Sequence, residues 1–110
     1  MKENNKLNVK ELFNLAFQNQ KKKNFNTAIT QYKKIISINP NLALVYYNLG
    51  LIYEKLEETE MAKKNYKKSV KVDPSFFYSY NNLGILFQKQ GEKEKAIENF
   101  RKVIETNSQY

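Results

Sequence analysis

The stretch Tyr46-Tyr47-Asn48-Leu49-Gly50 returns 34 residues later as Tyr80-Asn81-Asn82-Leu83-Gly84. Other positions recur at the same period, and these are Ala28, Ala62 and Ala96, then Tyr32, Tyr66 and Phe100, then Pro40 and Pro74. A fixed period of this length is typical of stacked helical-repeat proteins. The sequence therefore predicts an all-α fold built from equivalent helix pairs.

Apolar residues at helical spacing and helix-stop signals predict six helices in three antiparallel pairs. The first four predicted helices are Val9–Lys21, Asn26–Ile38, Ala43–Leu56 and Glu60–Val72, and two more follow in the third unit. Asn39-Pro40 and Asp73-Pro74 end two of them, because the residue before a proline disfavours the α region. Asn8 with Glu11 resembles a capping box, and Gly91 is placed to adopt a left-handed conformation after a helix.

Small residues recur where two paired helices are expected to cross. Gly50 and Gly84 lack a Cβ atom, and Ala16 occupies the same position in the first unit. Glycine inside a helix costs about 0.5–1 kcal/mol relative to alanine, so it needs a packing reason. We expect these residues to let the partner helix approach closely.

Composition limits what the chain can do. It has 110 residues, 41% of them hydrophobic, with no Cys and no His, so thiolate chemistry and the commonest general base are absent. No apolar run reaches the roughly 20 residues that span a bilayer, and residues 1–5 do not resemble a secretion signal. We find no phosphate loop, nucleophile motif or metal-ligand spacing. The expectation is a cytoplasmic, non-enzymatic protein that needs no cofactor and no metal.

The recurring motif resembles the tetratricopeptide repeat (TPR), whose pattern is W-x2-L-G-x2-Y, A-x3-F and P over 34 residues. Here the second unit has Tyr46-x2-Leu49-Gly50-x2-Tyr53, Ala62-x3-Tyr66 and Pro74, and the third has Tyr80-x2-Leu83-Gly84-x2-Phe87 and Ala96-x3-Phe100. The resemblance implies a TPR domain at 9–110 with repeats 9–42, 43–76 and 77–110, after a flexible segment at 1–8. It also implies three stacked antiparallel helix pairs in a right-handed superhelical solenoid.

In that family, the first helix of each pair lines a concave groove through six positions per repeat. In this sequence they are Lys10, Phe13, Asn14, Phe17, Gln20 and Lys21, then Leu44, Tyr47, Asn48, Leu51, Glu54 and Lys55, then Tyr78, Asn81, Asn82, Ile85, Gln88 and Lys89. We assign all of them except Lys10, Gln20, Glu54 and Gln88 to a candidate peptide-binding site. The resemblance implies a groove with an apolar and aromatic floor, one Asn per repeat and a row of lysines.

Each feature of this groove has a second interpretation. An Asn amide both donates and accepts, which suits a peptide backbone, yet Asn14, Asn48 and Asn82 could equally have a structural or solvated role. The groove aromatics could instead be core residues, and the lysines Lys21, Lys55 and Lys89 could select acidic partners or merely be solvated. The chaperone-tail clamp of some family members is not expected, because Phe13, Phe17, Tyr78 and Asn82 replace its charged and polar residues.

Three functions follow, in order of preference. The first is an adaptor that binds a partly acidic or apolar peptide in the groove. The second is a scaffold that self-associates into a homo-oligomer through uncovered repeat ends, since no further helix follows Ile104. The third, ranked below both, is docking on nucleic acid or an anionic membrane, because the net charge is +8 and lysine pairs such as Lys33-Lys34 and Lys67-Lys68 recur on the second helices.

Overall fold

The computed structural model describes residues 6–107, and in them the predicted helices form three helix pairs. The elements are α1 (Val9–Lys21), α2 (Phe25–Ile38), α3 (Ala43–Lys55), α4 (Thr59–Val72), α5 (Phe77–Lys89) and α6 (Lys93–Thr106). The described residues contain no strand. Each observed boundary lies within one residue of the boundary that the sequence predicts for the first four helices. The called segment 1–8 lies mostly outside the described residues.

The chain divides into two compact units, Met1–Asn41 and Leu42–Tyr110. The first unit consists of α1 packed on α2, and the second of α3 on α4, α4 on α5 and α5 on α6. Only three residues separate the helices within each pair, and a connection of this length makes the paired helices antiparallel. No helix of the described part of the chain is both long and apolar enough to cross a membrane.

The first helix begins with the predicted capping box. The Glu11 backbone N–H donates to Asn8 Oδ1 at 2.8 Å, and the Asn8 N–H donates to Glu11 Oε1 at 3.0 Å. Two of the N–H groups that a helix start leaves without intrahelical partners are thereby satisfied. The capping box that Asn8 and Glu11 predict is confirmed.

A residue with positive φ closes the turn inside each helix pair, at positions 34 residues apart. Gly91 has φ of 77°, as predicted, but the equivalent positions hold Lys23 at 67° and Glu57 at 60°. Left-handed backbone costs a residue with a Cβ atom roughly 1–2 kcal/mol. The turn geometry therefore belongs to the repeat, and only the third repeat has the residue type that adopts it without strain.

The core of each pair is an aromatic ring set against a small residue. Tyr32 and Ala16 in the first unit, and Tyr66 and Gly50 in the second, are all buried. A Cβ atom on Gly84 would lie 2.6 Å from Cε1 of Phe100, and one on Gly50 would lie closer still to Cε1 of Tyr66. The close approach predicted at Gly50 and Gly84 is confirmed. Leu15, which its spacing placed on the inward face, is instead 42% exposed.

Candidate functional site

The second unit has an open groove between α3 and α5, which are the first helices of their pairs. A cavity of about 420 Å³ lies in it, lined by Leu51, Glu54, Lys55, Asn82, Ile85 and Lys89. Five of these six residues belong to the site predicted from sequence, and Glu54 is the addition. The lining combines two aliphatic side chains, one amide, one carboxylate and two ammonium groups, which is the mixture expected of a site that binds a polypeptide segment.

Aromatic rings continue the groove toward the start of α5. The Tyr47 ring centroid lies 5.4 Å from that of Phe76 and 6.0 Å from that of Tyr78, and the Phe77 and Tyr78 centroids are 4.4 Å apart. These distances are typical of aromatic pairs that stabilise one another. Tyr78 is 54% exposed whereas Tyr47 is half-buried. The groove therefore presents a fixed aromatic surface rather than isolated rings.

A buried hydrogen-bond network supports the polar part of the groove. The Tyr66 hydroxyl donates to Glu54 Oε2 at 2.5 Å, and Asn82 Nδ2 donates to Tyr66 Oη at 3.2 Å. Burial, and then the hydrogen bond to the Glu54 carboxylate, raise the pKa of Tyr66 well above its ordinary value. The phenol therefore stays protonated and donates, which holds Glu54 and Asn82 in place at the cavity.

Asn82 has a second aromatic partner in Tyr47. Burial raises the pKa of the Tyr47 hydroxyl, and a hydrogen bond from Asn82 opposes part of that rise. With its N–H groups directed to the two tyrosine oxygens, the Asn82 amide leaves its carbonyl oxygen as the group able to accept a bond from a ligand.

The other predicted site residues fall into three groups by exposure. In the second unit Leu44, Asn81, Lys55 and Lys89 are exposed, and Leu51 is half-buried. In the first unit Asn14, Phe17 and Lys21 are exposed and Phe13 is half-buried. The Phe13 and Phe17 rings stack at 6.2 Å, and Lys21 Nζ lies 5.0 Å from the Phe17 centroid. The first unit thus carries its own aromatic and cationic surface on α1.

Asn48 does not fit the predicted groove surface. Its side chain is only 4% exposed. It lies three residues after Val45 and four before Ile52, which are 1% and 0% exposed, so all three share the buried stripe of α3. The expectation that Asn48 faces a ligand is corrected, and the amide available in the second unit is that of Asn82.

The roles of Glu54 and Tyr66 were not found from sequence, although a signal for them exists. Tyr32 donates to Gln20 Oε1 at 2.6 Å in the first unit, at the same twelve-residue spacing as Tyr66 and Glu54. A tyrosine and an acceptor that recur together at the repeat period indicate a link between the two helices of a pair. Among residues 6–107, no group of three or more acidic, His or Cys side chains could hold a metal ion.

Family models match most of the chain. A TPR repeat model matches residues 21–57, and a tetratricopeptide repeat model matches residues 43–76 and 77–110. The chain belongs to the tetratricopeptide repeat family. Its fold is accordingly the all-α helical-repeat solenoid, and members of the family are generally non-enzymatic modules for protein–protein interaction and scaffolding.

Solved structures of MamA are similar to this TPR chain. One superimposes with a TM-score of 0.87 and 26% identity, over 92% of this chain and 59% of that chain. MamA 41-end from Desulfovibrio magneticus RS-1 gives a TM-score of 0.81 and 25% identity, over 92% and 57%. This chain therefore spans less than two thirds of the length of either MamA chain. No curated protein matches the sequence significantly.

Proposed function

We propose that this TPR chain is an adaptor whose second unit binds an extended peptide segment of a partner protein in the groove between α3 and α5. The observation that carries the proposal is the cavity of about 420 Å³ between the two helices, which the Tyr66–Glu54–Asn82 network supports. A site held in place before binding loses less conformational entropy when the ligand arrives.

The apolar part of the groove supplies the affinity in this proposal. Ile85 is 37% exposed, Leu44 45% and Tyr78 54%, although each is large and hydrophobic. Exposed apolar surface of this kind, edged by polar groups, marks interaction sites in soluble proteins. Apolar side chains of the bound segment would cover these residues and remove their surface from water.

The polar part supplies orientation and selectivity. The Asn82 carbonyl oxygen and the Glu54 carboxylate can each accept a backbone N–H bond from an extended chain. Lys55 and Lys89 lie in the same cavity and favour carboxylates on the bound segment. The expected ligand is therefore a short segment that alternates apolar and acidic side chains.

Selection from a displayed peptide library, with the complete chain as bait, tests the proposal. Peptides selected by the wild type should bind the Ile85→Ser variant at least roughly tenfold more weakly, because a buried aliphatic contact of about 1.5 kcal/mol is lost. The matched control is Ile38→Ser, which removes an isoleucine that is 53% exposed on α2 of the other unit. Selected peptides that bind both variants equally well would contradict a site between α3 and α5.

A second candidate function is self-association through α6. Ile97 is 44% exposed and Ile104 70% exposed on this helix, and a second open cavity of about 420 Å³ lies beside Ile97, Glu98 and Arg101. In α4, the positions one repeat earlier are Lys63, which is buried, and Val70, which is half-buried. Sedimentation over a range of concentrations tests this candidate, since association should disappear in Ile104→Ser. A monomer at every concentration would eliminate it.

A further inference from the structure

The helix α4 carries the densest positive charge in the second unit. Five of its fourteen residues are lysines, and only Glu60 is acidic. An open cavity of about 370 Å³ runs along its surface, lined by Glu60 and by the five lysines Lys63, Lys64, Lys67, Lys68 and Lys71. By contrast, the four cations of α6 are accompanied by three glutamates. The charge of α4 is therefore a local feature and not only a consequence of the net charge of the chain.

The lysines of α4 form two rows. Lys63, Lys67 and Lys71 follow one another at four-residue intervals, and Lys64 and Lys68 form a parallel row beside them. Four residues of α-helix rise about 6 Å. This step is comparable to the distance between successive phosphates in an extended single strand of nucleic acid, so one row can contact consecutive phosphates.

Three ammonium groups from two helices converge over one ring. Lys63 Nζ lies 5.0 Å from the Phe87 centroid, and those of Lys67 and Lys95 each lie 5.6 Å from it. Because none is farther than 5.6 Å from the centroid, any two lie within about 11 Å of each other, which is close to the Debye length at physiological salt. Phe87 is 4% exposed and forms the floor beneath them. The positive potential is thus concentrated, and an approaching anion interacts with several charges at once.

Internal ion pairs account for only part of this charge. Lys63 Nζ lies 3.2 Å from Glu60 Oε2 and donates to Gln90 Oε1 at 2.7 Å, while Lys95 pairs with Glu92 at 3.1 Å. Hydrogen bonds from Gln90 and then Lys63 lower the pKa of Glu60, so this carboxylate stays ionised. Lys64, Lys67, Lys68 and Lys71 form no ion pair with any described residue.

We infer that the exposed lysines of α4 bind the phosphate backbone of single-stranded nucleic acid. Lysine acts as a point charge that contacts phosphate without reading base identity. Within α4 no large hydrophobic side chain is exposed, so the helix offers neither an apolar group for a lipid bilayer nor an aromatic face for base stacking. Binding is therefore electrostatic and independent of sequence. It does not depend on the peptide groove.

Fluorescence anisotropy with a labelled 20-nucleotide oligothymidine tests the inference with the complete chain. Each phosphate contact with a single strand contributes about −0.7 to the slope of log K against log salt, so the four unpaired lysines give a slope near −2.8. Raising the salt from 50 to 200 mM should then weaken wild-type binding about 50-fold. The double variant Lys67→Gln, Lys68→Gln should keep a slope near −1.4 and weaken only about sevenfold over the same range.

The matched control is Lys33→Gln, Lys34→Gln, which makes the same charge change one repeat earlier on α2. It should leave the slope within about 0.5 of the wild-type value. Equal losses in the two double variants would show that charge alone governs binding and would overturn the assignment to α4. Failure to bind oligothymidine at 50 mM salt would also overturn it, as would tighter binding to polyglutamate, to a DNA duplex or to phosphatidylserine-containing vesicles. Circular dichroism verifies that the variants fold.

Discussion

The Gly50→Ala substitution tests the packing on which the groove depends. The new methyl group would enter the ring of Tyr66, which is 0% exposed and so has no solvent-filled space into which it can move. The ring is also held at its far end by the hydrogen bond to Glu54. The substitution therefore forces either a helix displacement or a longer Tyr66–Glu54 bond.

Two opposing contributions set the size of the effect. Alanine is favoured over glycine inside a helix by about 0.5–1 kcal/mol. Overpacking a close-packed core costs typically 1–3 kcal/mol, and weakening a hydrogen bond to a charged group adds to that cost. The expected net loss is roughly 1–2 kcal/mol of unfolding free energy, since the packing cost exceeds the gain in helix propensity.

Gly84→Ala is the matched comparison, because the facing residue differs. Phe100 is half-buried and has no hydroxyl group, so its ring can move aside at lower cost. We expect Gly84→Ala to stay within about 0.5 kcal/mol of the wild type, because propensity and packing then nearly cancel. Urea unfolding followed by circular dichroism measures both variants. The reasoning is refuted if Gly50→Ala is as stable as the wild type, or if Gly84→Ala loses as much as Gly50→Ala.

Three further predictions concern the turns, the tyrosine and the cap. Glu57→Gly should raise the unfolding free energy by up to about 1 kcal/mol and Gly91→Ala should lower it by a similar amount, because φ is positive at both positions; equal thermal midpoints for all three proteins would contradict this. The raised pKa of Tyr66 stabilises the fold below its ordinary value of 10.0, and this contribution is lost as the pH rises further, since the unfolded state then loses a proton that the folded state keeps. Tyr66→Phe should therefore make the fall in stability shallower by up to about 1.4 kcal/mol per pH unit between pH 10 and 11.5, and an unchanged slope would count against it. Asn8→Ala should cost about 1 kcal/mol, and Asn8→Asp, which keeps the cap acceptor, should cost much less in the same urea titration.

The sequence was sufficient to predict the repeats and their helix boundaries because these depend on local signals at a fixed period. Prolines after Asn39 and Asp73, and the Gly50 and Gly84 positions opposite an aromatic ring, act within one helix pair. The left-handed turns at Lys23 and Glu57 were not predicted, since neither residue type favours positive φ and only comparison with Gly91 at the same period would have indicated them.

The site was less predictable because its chemistry depends on contacts between helices. The position of Asn48 within its repeat suggests a groove residue, but the rotation of α3 places it on the buried stripe. Lys95 could not be assigned to the basic surface of α4 from the sequence, because it belongs to α6 and reaches the Phe87 ring from another helix. Periodicity predicts equivalent positions, whereas exposure at those positions depends on the neighbours of each helix.

Differences between repeats at one pair of positions explain why the groove chemistry centres on the second repeat. The position of Glu54 is occupied by Gln20 in the first repeat and Gln88 in the third, and the partner of Gln88 would be Phe100, which has no hydroxyl group. The tyrosine bond therefore holds a neutral amide in the first repeat and a carboxylate in the second, and it cannot form in the third. Because the backbone is nearly the same in each repeat, the charge and orientation of a groove residue follow from this choice of acceptor and donor. The shared motif thus fixes where a segment could lie, and the residues that break the repetition fix which segment is bound.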